Sequence, residues 1–317
     1  MIKTFVATMG SIRDRLTIVS VGLAILATTD ACTSASRPQN SVALAAQVDS
    51  LFLREIRPGA PGCAVGVYRS GVIVLARGYG VASIEDGRAI TSRSMFNLGS
   101  ASKPFTTLAA LMLEQSGQLS MDDEVRRWVP ELPDYGTPIR VRDLLQHTSG
   151  LRDFGTLEVL SGRTVTTQPQ FLGLVASQRA LNFVAGTRHE YSHTDFGVLG
   201  LIVQRIVGVP FGEHLQKVVF EPLGMKGSFV DDIPNSSLSE RAFGHRVTQQ
   251  GPHVEFPNSQ TFGGDNVYSS VDELALWDRN FEARRPRRDH LRQCDRRSVL
   301  PDDTCRRRPL LRSWAHG

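Results

Sequence analysis

Lysine is scarce in this chain. Four lysines (Lys3, Lys103, Lys217 and Lys226) stand against 32 arginines. A lysine at any one position is therefore not the default choice of cation. Cysteine is equally sparse, with Cys32, Cys63, Cys294 and Cys305. Their spacing makes no disulfide framework, although a Cys294–Cys305 bridge stays open in an oxidising compartment. Cys63 lies in an apolar, strand-like run and is expected to be a small core residue. Past the N-terminal region no apolar run approaches the length of a membrane span. The body also lacks net positive charge: residues 1–283 carry −3 and residues 284–317 carry +7. The basic balance of the whole chain thus comes from its last 34 residues. Nothing in the body has the footprint of a nucleic-acid-binding protein. No internal repeat is present.

The first 35 residues read as an export signal. Lys3, Arg13 and Arg15 precede an apolar run from Leu16 to Thr29, and the small residues Ala31, Ser34 and Ala35 follow. That is the charged, apolar, small-residue order of a secretory leader, and the run is short for a span. The expected product is periplasmic or secreted. Cys32 is a candidate for lipid attachment, the one membrane link considered, but Thr29 and Asp30 fit a lipoprotein box poorly. The simpler alternative is a leader cleaved between residues 31 and 40.

The body from 42 to 283 has a coherent pattern. Residues 42–57 suit a helix, which Pro61-Gly62 would break. Cys63–Tyr68 and Val72–Ala76 are two β-rich runs joined by Arg69-Ser70-Gly71, a hairpin signal. A helix is expected over 101–115, with Pro104 in its first turn and Gly117 as its stop. Further short helices are expected over 141–146, 194–207, 211–219 and 270–282.

Ser100-Ala101-Ser102-Lys103 is where chemistry enters. A serine hydroxyl is a weak nucleophile until a neighbouring base takes its proton. At the start of a helix, residues 100 and 103 share a face. A lysine there acts as a base only where desolvation or neighbouring positive charge lets it release its proton. Arginine cannot do so. On its own the pattern is also that of an ordinary helix start with a solvated lysine.

The stretch Phe96-Asn97-Leu98-Gly99-Ser100-Ala101-Ser102-Lys103-Pro104-Phe105 resembles the nucleophile region of the serine β-lactamase and penicillin-binding-protein superfamily. It is most similar to the branch of class C β-lactamases, D-aminopeptidases, D-Ala-D-Ala carboxypeptidases and esterases. Four further stretches resemble that branch in the same order. They are Val129 to Pro133, Val141 to Leu151 with His147-Thr148-Ser149-Gly150-Leu151, Glu221 to Met225, and Gly263-Gly264 with Ser269 to Trp277. The resemblance implies an α/β (α+β) fold of β-lactamase/transpeptidase type, with an antiparallel sheet flanked by helices and an all-helical region. It implies an acyl-enzyme on Ser100, with Lys103 and Tyr191 moving protons, and no metal or organic cofactor. The branch's second motif, Tyr-x-Asn, meets Tyr191-Ser192-His193 here. His193 then holds the substrate-binding place of an asparagine, which offers a donor and an acceptor in a different geometry. For His147 both a role near the cleft and a structural role tying loops together are open.

His189-Glu190-Tyr191-Ser192-His193 also spells a zinc-protease pattern. That chemistry needs both histidines on one helical face. Ala185-Gly186-Thr187 precedes the motif and Ser192 or Thr194 reads as a helix cap, so the helix is expected to start after it.

The branch's third motif, Lys-Thr-Gly or His-x-Gly on a late strand, is not found after residue 264. Arginine clusters at 284–288, 296–297 and 306–308 stand there instead. Residues 284–317 read as out-of-frame or otherwise foreign sequence, with a genuine basic, disordered arm as the rival. The C-terminal strands, and with them one of two oxyanion donors, are then expected to be missing. Loss of one donor typically costs about 10² to 10³ in rate. The sequence therefore predicts an exported serine hydrolase acting on a β-lactam, a D-Ala peptide of the cell wall or a simple ester, weak or inactive as it stands. The alternative is a non-catalytic, penicillin-binding-like protein that holds cell-wall peptide or acyl ligands without turnover.

Overall fold

Apolar residues at 105, 108, 109, 112 and 113 recur at helical spacing, and in a computed structural model this segment is the central helix of the molecule. The structure describes residues 37–69, 71–232, 241–255 and 263–281. The export signal, Cys32, Cys294, Cys305 and the arginine-rich segment all lie outside the described residues.

The chain runs through α1 (Arg37–Glu55), β1 (Cys63–Arg69), β2 (Val72–Tyr79) and β3 (Phe96–Asn97), then a 3-10 turn (Gly99–Ser102) into α2 (Lys103–Gln115). Helices α3 (Val125–Trp128), α4 (Val141–Leu145), α5 (Phe154–Ser161), α6 (Gln168–Ala176), α7 (His193–Val207) and α8 (Phe211–Leu215) follow. A π turn (Gln216–Phe220) leads into α9 (Glu221–Leu223), then β4 (Phe229–Val230), β5 (Gly244–Thr248), β6 (Gly251–Glu255), β7 (Val267–Ser269) and α10 (Val271–Arg279). The strands pair antiparallel in three small sheets: β1–β2, β3–β7–β4 and β5–β6.

The fold is the mixed, β-lactamase/transpeptidase-like arrangement that the sequence predicts, with two structural centres. In the first, α1 and α10 pack on the β1–β2 hairpin. Phe52 of α1 stacks on Tyr79 of β2 (centroids 4.9 Å apart), and Tyr79 Oη donates to Asp49 at 2.7 Å. On the other side, Tyr68 of β1 donates to the carbonyl of Val271 at the start of α10. Trp277 of α10 then meets Phe105 of α2, with ring centroids 4.2 Å apart. The second centre is all helical. Here α2 and α7 bury Phe105, Ala109, Val198, Leu199 and Ile202 against Phe211, Leu215 and Phe220. Burial of this apolar set is the main stabilising contribution, at about 1.5–3 kcal/mol for each large side chain.

Local rules account for the helix ends. Gly117, with φ at 75°, lets the chain leave α2. Thr167 and Gln170 form a capping box on α6. Several details differ from the sequence reading, among them the first helix, which runs over Arg37–Glu55 rather than 42–57. The α-helix begins at Lys103 rather than at 101, because Gly99–Ser102 winds as the tighter 3-10 turn. The helix expected over 211–219 gives way to the π turn at Gln216. Cys63 is half-buried rather than a core residue, because every position from 63 to 68 on the two-stranded sheet keeps some solvent contact.

Gly197 offers a test of the packing. A Cβ there would lie 2.5 Å from the ring of Phe171, which is itself buried. Helix propensity alone would favour Gly197→Ala by up to about 1 kcal/mol. Overpacking a filled core typically costs about 1–3 kcal/mol. The clash should win, so urea unfolding should show Gly197→Ala to be less stable by about 1–2 kcal/mol. A variant more stable than the parent would contradict the α6–α7 packing.

Candidate active site

Val267 of β7 fixes the turn that carries Ser100. Its carbonyl accepts from Leu98 N (2.9 Å) and its N–H donates to Ser102 Oγ (3.0 Å). Ser102 is consequently buried and structural. Gly99 turns with φ at 53°, and its N–H donates to Asn97 Oδ1 at 2.6 Å. These bonds leave Ser100 exposed at the mouth of the helix, with Lys103 one turn on.

Lys103 is only 7 % exposed. Its Nζ donates to Ser100 Oγ and to the carbonyl of Gly264, both at 3.1 Å. The amine also sits 5.0 Å from the ring centre of Tyr191 and 5.5 Å from that of Phe196. Aromatic faces attract a cation. Thr106, on the same face of α2, donates to the carbonyl of Gly263 at 2.6 Å. Gly263 holds φ at 89°, and a Cβ there would lie 2.5 Å from the carbonyl oxygen of Phe196. Only glycine allows the 263–264 strip to approach α2 and α7 so closely.

Tyr191 completes the cluster. Its phenol oxygen is 2.5 Å from Ser100 Oγ. A hydroxyl has one proton and two lone pairs. With Lys103 donating into one lone pair, the serine oxygen keeps its proton and a second lone pair for the bond with Tyr191, in which either hydroxyl can donate. The structure thus brings Ser100, Lys103 and Tyr191 together as the sequence reading expected, over 91 residues of intervening chain.

His193 stands one step away. It opens α7, and its ring meets that of Tyr191 edge-on at 5.2 Å. Its backbone N–H donates to Asp153 Oδ2 (2.7 Å), and Nδ1 lies 3.0 Å from the same oxygen. The other oxygen of Asp153 caps α5 by accepting from Thr156 N at 3.0 Å. Burial alone would raise the Asp153 pKa, but the His193 and Thr156 bonds outweigh it and hold the carboxyl at about 2. Beside this pair lies a cavity of about 440 Å³, whose wall includes Asp153, Leu157, Leu160, Glu190, Tyr191 and His193.

The zinc pattern is not built. Residues 189–192 precede the helix, so His189 and His193 do not share a helical face. His147 does tie loops together: its carbonyl accepts from Glu190 N at 2.9 Å, and its ring packs against Tyr191 with centroids 4.5 Å apart. Sequence reasoning missed Thr106, Asp153 and Asp195. An aspartate just before a helix is a capping signal that could have exposed Asp153. Asp195 stood out only as a charge at the head of an apolar helical run.

Asp153 gives a pH test. Its folded value of about 2 lies below the ordinary 3.8, so its stabilising contribution is present above the ordinary value and is lost as pH falls through about 2. Screening of this partly exposed group reduces that contribution to the order of 1–2 kcal/mol. Asp153→Asn should therefore lower the thermal midpoint most at neutral pH, with the gap closing toward pH ~2. A gap that widens on acidification would contradict the assignment.

Known proteins place the cluster in context. A D-aminopeptidase of Brucella anthropi is 28 % identical over 230 residues, covering 71 % of this chain and 43 % of its own length. The chain thus spans less than half the length of that relative. Among solved structures, EstCE1, a hydrolase with promiscuous acyltransferase activity, superposes with a TM-score of 0.63 at 25 % identity, over 75 % of this chain and 72 % of its own. The octameric penicillin-binding protein homologue from Pyrococcus abyssi shares the fold at a TM-score of 0.66 and 24 % identity, over 80 % of this chain and 58 % of its own. A family model described as Beta-lactamase matches residues 43–306, running past residue 283 into the arginine-rich segment. With that match extending over most of the sequence, and with a serine, lysine and tyrosine meeting at one point, the chain belongs to the β-lactamase family.

Proposed function

We propose that the protein is an exported serine hydrolase that cleaves an amide or ester through an acyl-enzyme on Ser100. The observation that carries this reading is the position of Ser100 Oγ, 2.5 Å from Tyr191 and 3.1 Å from Lys103. As the oxygen attacks the substrate carbonyl, the Oγ proton passes to the Tyr191 oxygen while the phenol's own proton moves on to the leaving nitrogen or oxygen. The tetrahedral intermediate collapses as the scissile bond breaks, leaving the acyl group on Ser100 and Tyr191 a phenol again. Water, activated in the same way, then releases the acyl group and restores Ser100. Lys103 donates to Oγ and exchanges protons with it, which offsets the negative charge that builds there as the proton moves to Tyr191. No step calls for a metal or organic cofactor.

The cavity beside Tyr191 and His193 is the place for a small acyl or peptide substrate. A β-lactam, a D-Ala peptide and a simple ester are all compatible with this chemistry, since one fold hosts all three. His193 narrows the recognition. With Nδ1 turned to Asp153, its second nitrogen alone faces a ligand, where asparagine would present both a donor and an acceptor. That loss is also what favours the alternative, a binder of cell-wall peptide or acyl ligands without turnover.

Export rests on the charge, apolar and small-residue order of residues 1–35, with a simple cleaved leader as the first reading and lipid attachment at Cys32 as its alternative. Cell fractionation with and without Cys32→Ser tests both. The foreign-sequence reading of 284–317 rests on the charge reversal, while the family match into that stretch speaks against it. The nucleotide sequence around codon 283, read in three frames, decides between them.

Hydrolysis of a p-nitrophenyl ester measures the roles. Tyr191→Phe should slow it by about 10² or more, the usual scale of general acid–base catalysis. Lys103→Arg should be nearly as damaging as Lys103→Ala, because a guanidinium is too broad for the buried site and does not exchange protons. His193→Asn should hold or raise the rate. Full activity in Tyr191→Phe or Lys103→Arg would refute the assignments, and an inert parent that still binds penicillin would favour the binding reading.

A further inference from the structure

His147 is the single non-glycine residue with a left-handed backbone among the described residues, at φ 55°. A side-chain-bearing residue stays in that region only where its surroundings over-determine it. Several of its contacts fall on one short stretch of chain. The His147 carbonyl accepts from Glu190 N at 2.9 Å, and its Nδ1 lies 3.3 Å from Ser192 N. Tyr191 sits between those two residues, with its ring against the imidazole. His147 thus holds the chain just before the tyrosine through its carbonyl and packs its ring on the tyrosine itself.

The imidazole is held in turn. Asp195 Oδ2 is 2.9 Å from Nδ1, and the other Asp195 oxygen accepts from Ser149 Oγ. Asp195 is 0 % exposed, in the first turn of α7. A buried carboxylate is costly unless it is paired and hydrogen-bonded. Burial pushes this one up to about 6, against the lowering effect of its bonds to His147 and Ser149. So expensive a group, facing a strained histidine that touches the phenol, has no part in the proton transfers described above.

We propose that His147, locked by Asp195, is the positioning residue for Tyr191: its carbonyl holds residue 190 and its ring backs the phenol, and together they set the reach of the phenol to Ser100. The inference rests on the reading of Tyr191 as the proton carrier. Neither residue touches the reacting atoms. Misplacing a catalytic group by about 1 Å is enough to cost on the order of 10² in rate, so a small slackening at 190–192 matters.

The test pairs a chemical readout with one that needs no chemistry. His147→Gly keeps the left-handed backbone and removes the ring, while His147→Asn keeps a polar side chain that also tolerates φ above zero. In His147→Gly, modification of Ser100 by a fluorophosphonate should slow by about 10 to 10² with its half-saturating concentration unchanged. Hydrogen exchange at the amides of 190–192 should rise, while α2 and the later turns of α7 exchange as in the parent. His147→Asn should recover part of both effects. Asp195→Asn, nearly isosteric, should show the same two changes more weakly and serves if His147→Gly does not fold. Parent-like exchange at 190–192 in both His147→Gly and Asp195→Asn would overturn the proposal, as would loosening spread evenly over the molecule. A parent whose Ser100 is never modified, but whose variants still loosen at 190–192, would refute the hydrolase reading and leave the brace standing.

Discussion

The buried amine of Lys103 is the constraint on which the rest of the site depends. A cation withdrawn from water must be compensated. Among the described residues its partners are neutral: a hydroxyl, a carbonyl and two aromatic faces. Each comes from a different part of the chain. Ser100 comes from the turn before α2, Gly264 from the strip before β7, Tyr191 from the loop before α7 and Phe196 from α7 itself. Compensating one amine therefore holds four parts of the chain in register. It also explains Gly263, because any side chain there would push the strip away from Phe196 and take the Gly264 carbonyl out of reach.

Around that centre the structure spends its polar side chains on loops rather than on solvent. Val267 satisfies both of its backbone groups within the nucleophile turn. Asp153 uses one oxygen to cap α5 and the other to anchor the start of α7. Thr194, fully buried beside it, donates to Arg152 O and accepts from Phe154 N. The entry to α7 is consequently tied to the 147–154 segment at several points, and Tyr191 lies immediately before it. Placement of the phenol thus follows from helix capping and loop closure more than from apolar packing.

Much of this was legible in the residues. The Ser100–Lys103 relation follows from helical spacing, which is local. The hairpin, α2, α7 and α10 follow from periodicity and from glycine and proline punctuation. Tyr191 is different: nothing near it in sequence marks it, and only the ordered set of family-like stretches linked it to Ser100. Asp153 and Asp195 were not legible as site residues, because their importance lies in partners 40 and 46 residues away. The break at Gln216 and the partial burial of Cys63 were hidden for a related reason. Both depend on what packs alongside, and propensity does not record that.

The central claim is that this cluster makes Ser100, and no neighbouring hydroxyl, a nucleophile. The most direct measurement is to expose the folded protein to a fluorophosphonate, digest it and locate the phosphonyl group by mass spectrometry. The account predicts a single adduct, on the Oγ of Ser100, that disappears when the protein is unfolded first. An adduct on Ser102 or elsewhere, or none on a protein that is demonstrably folded, would contradict it.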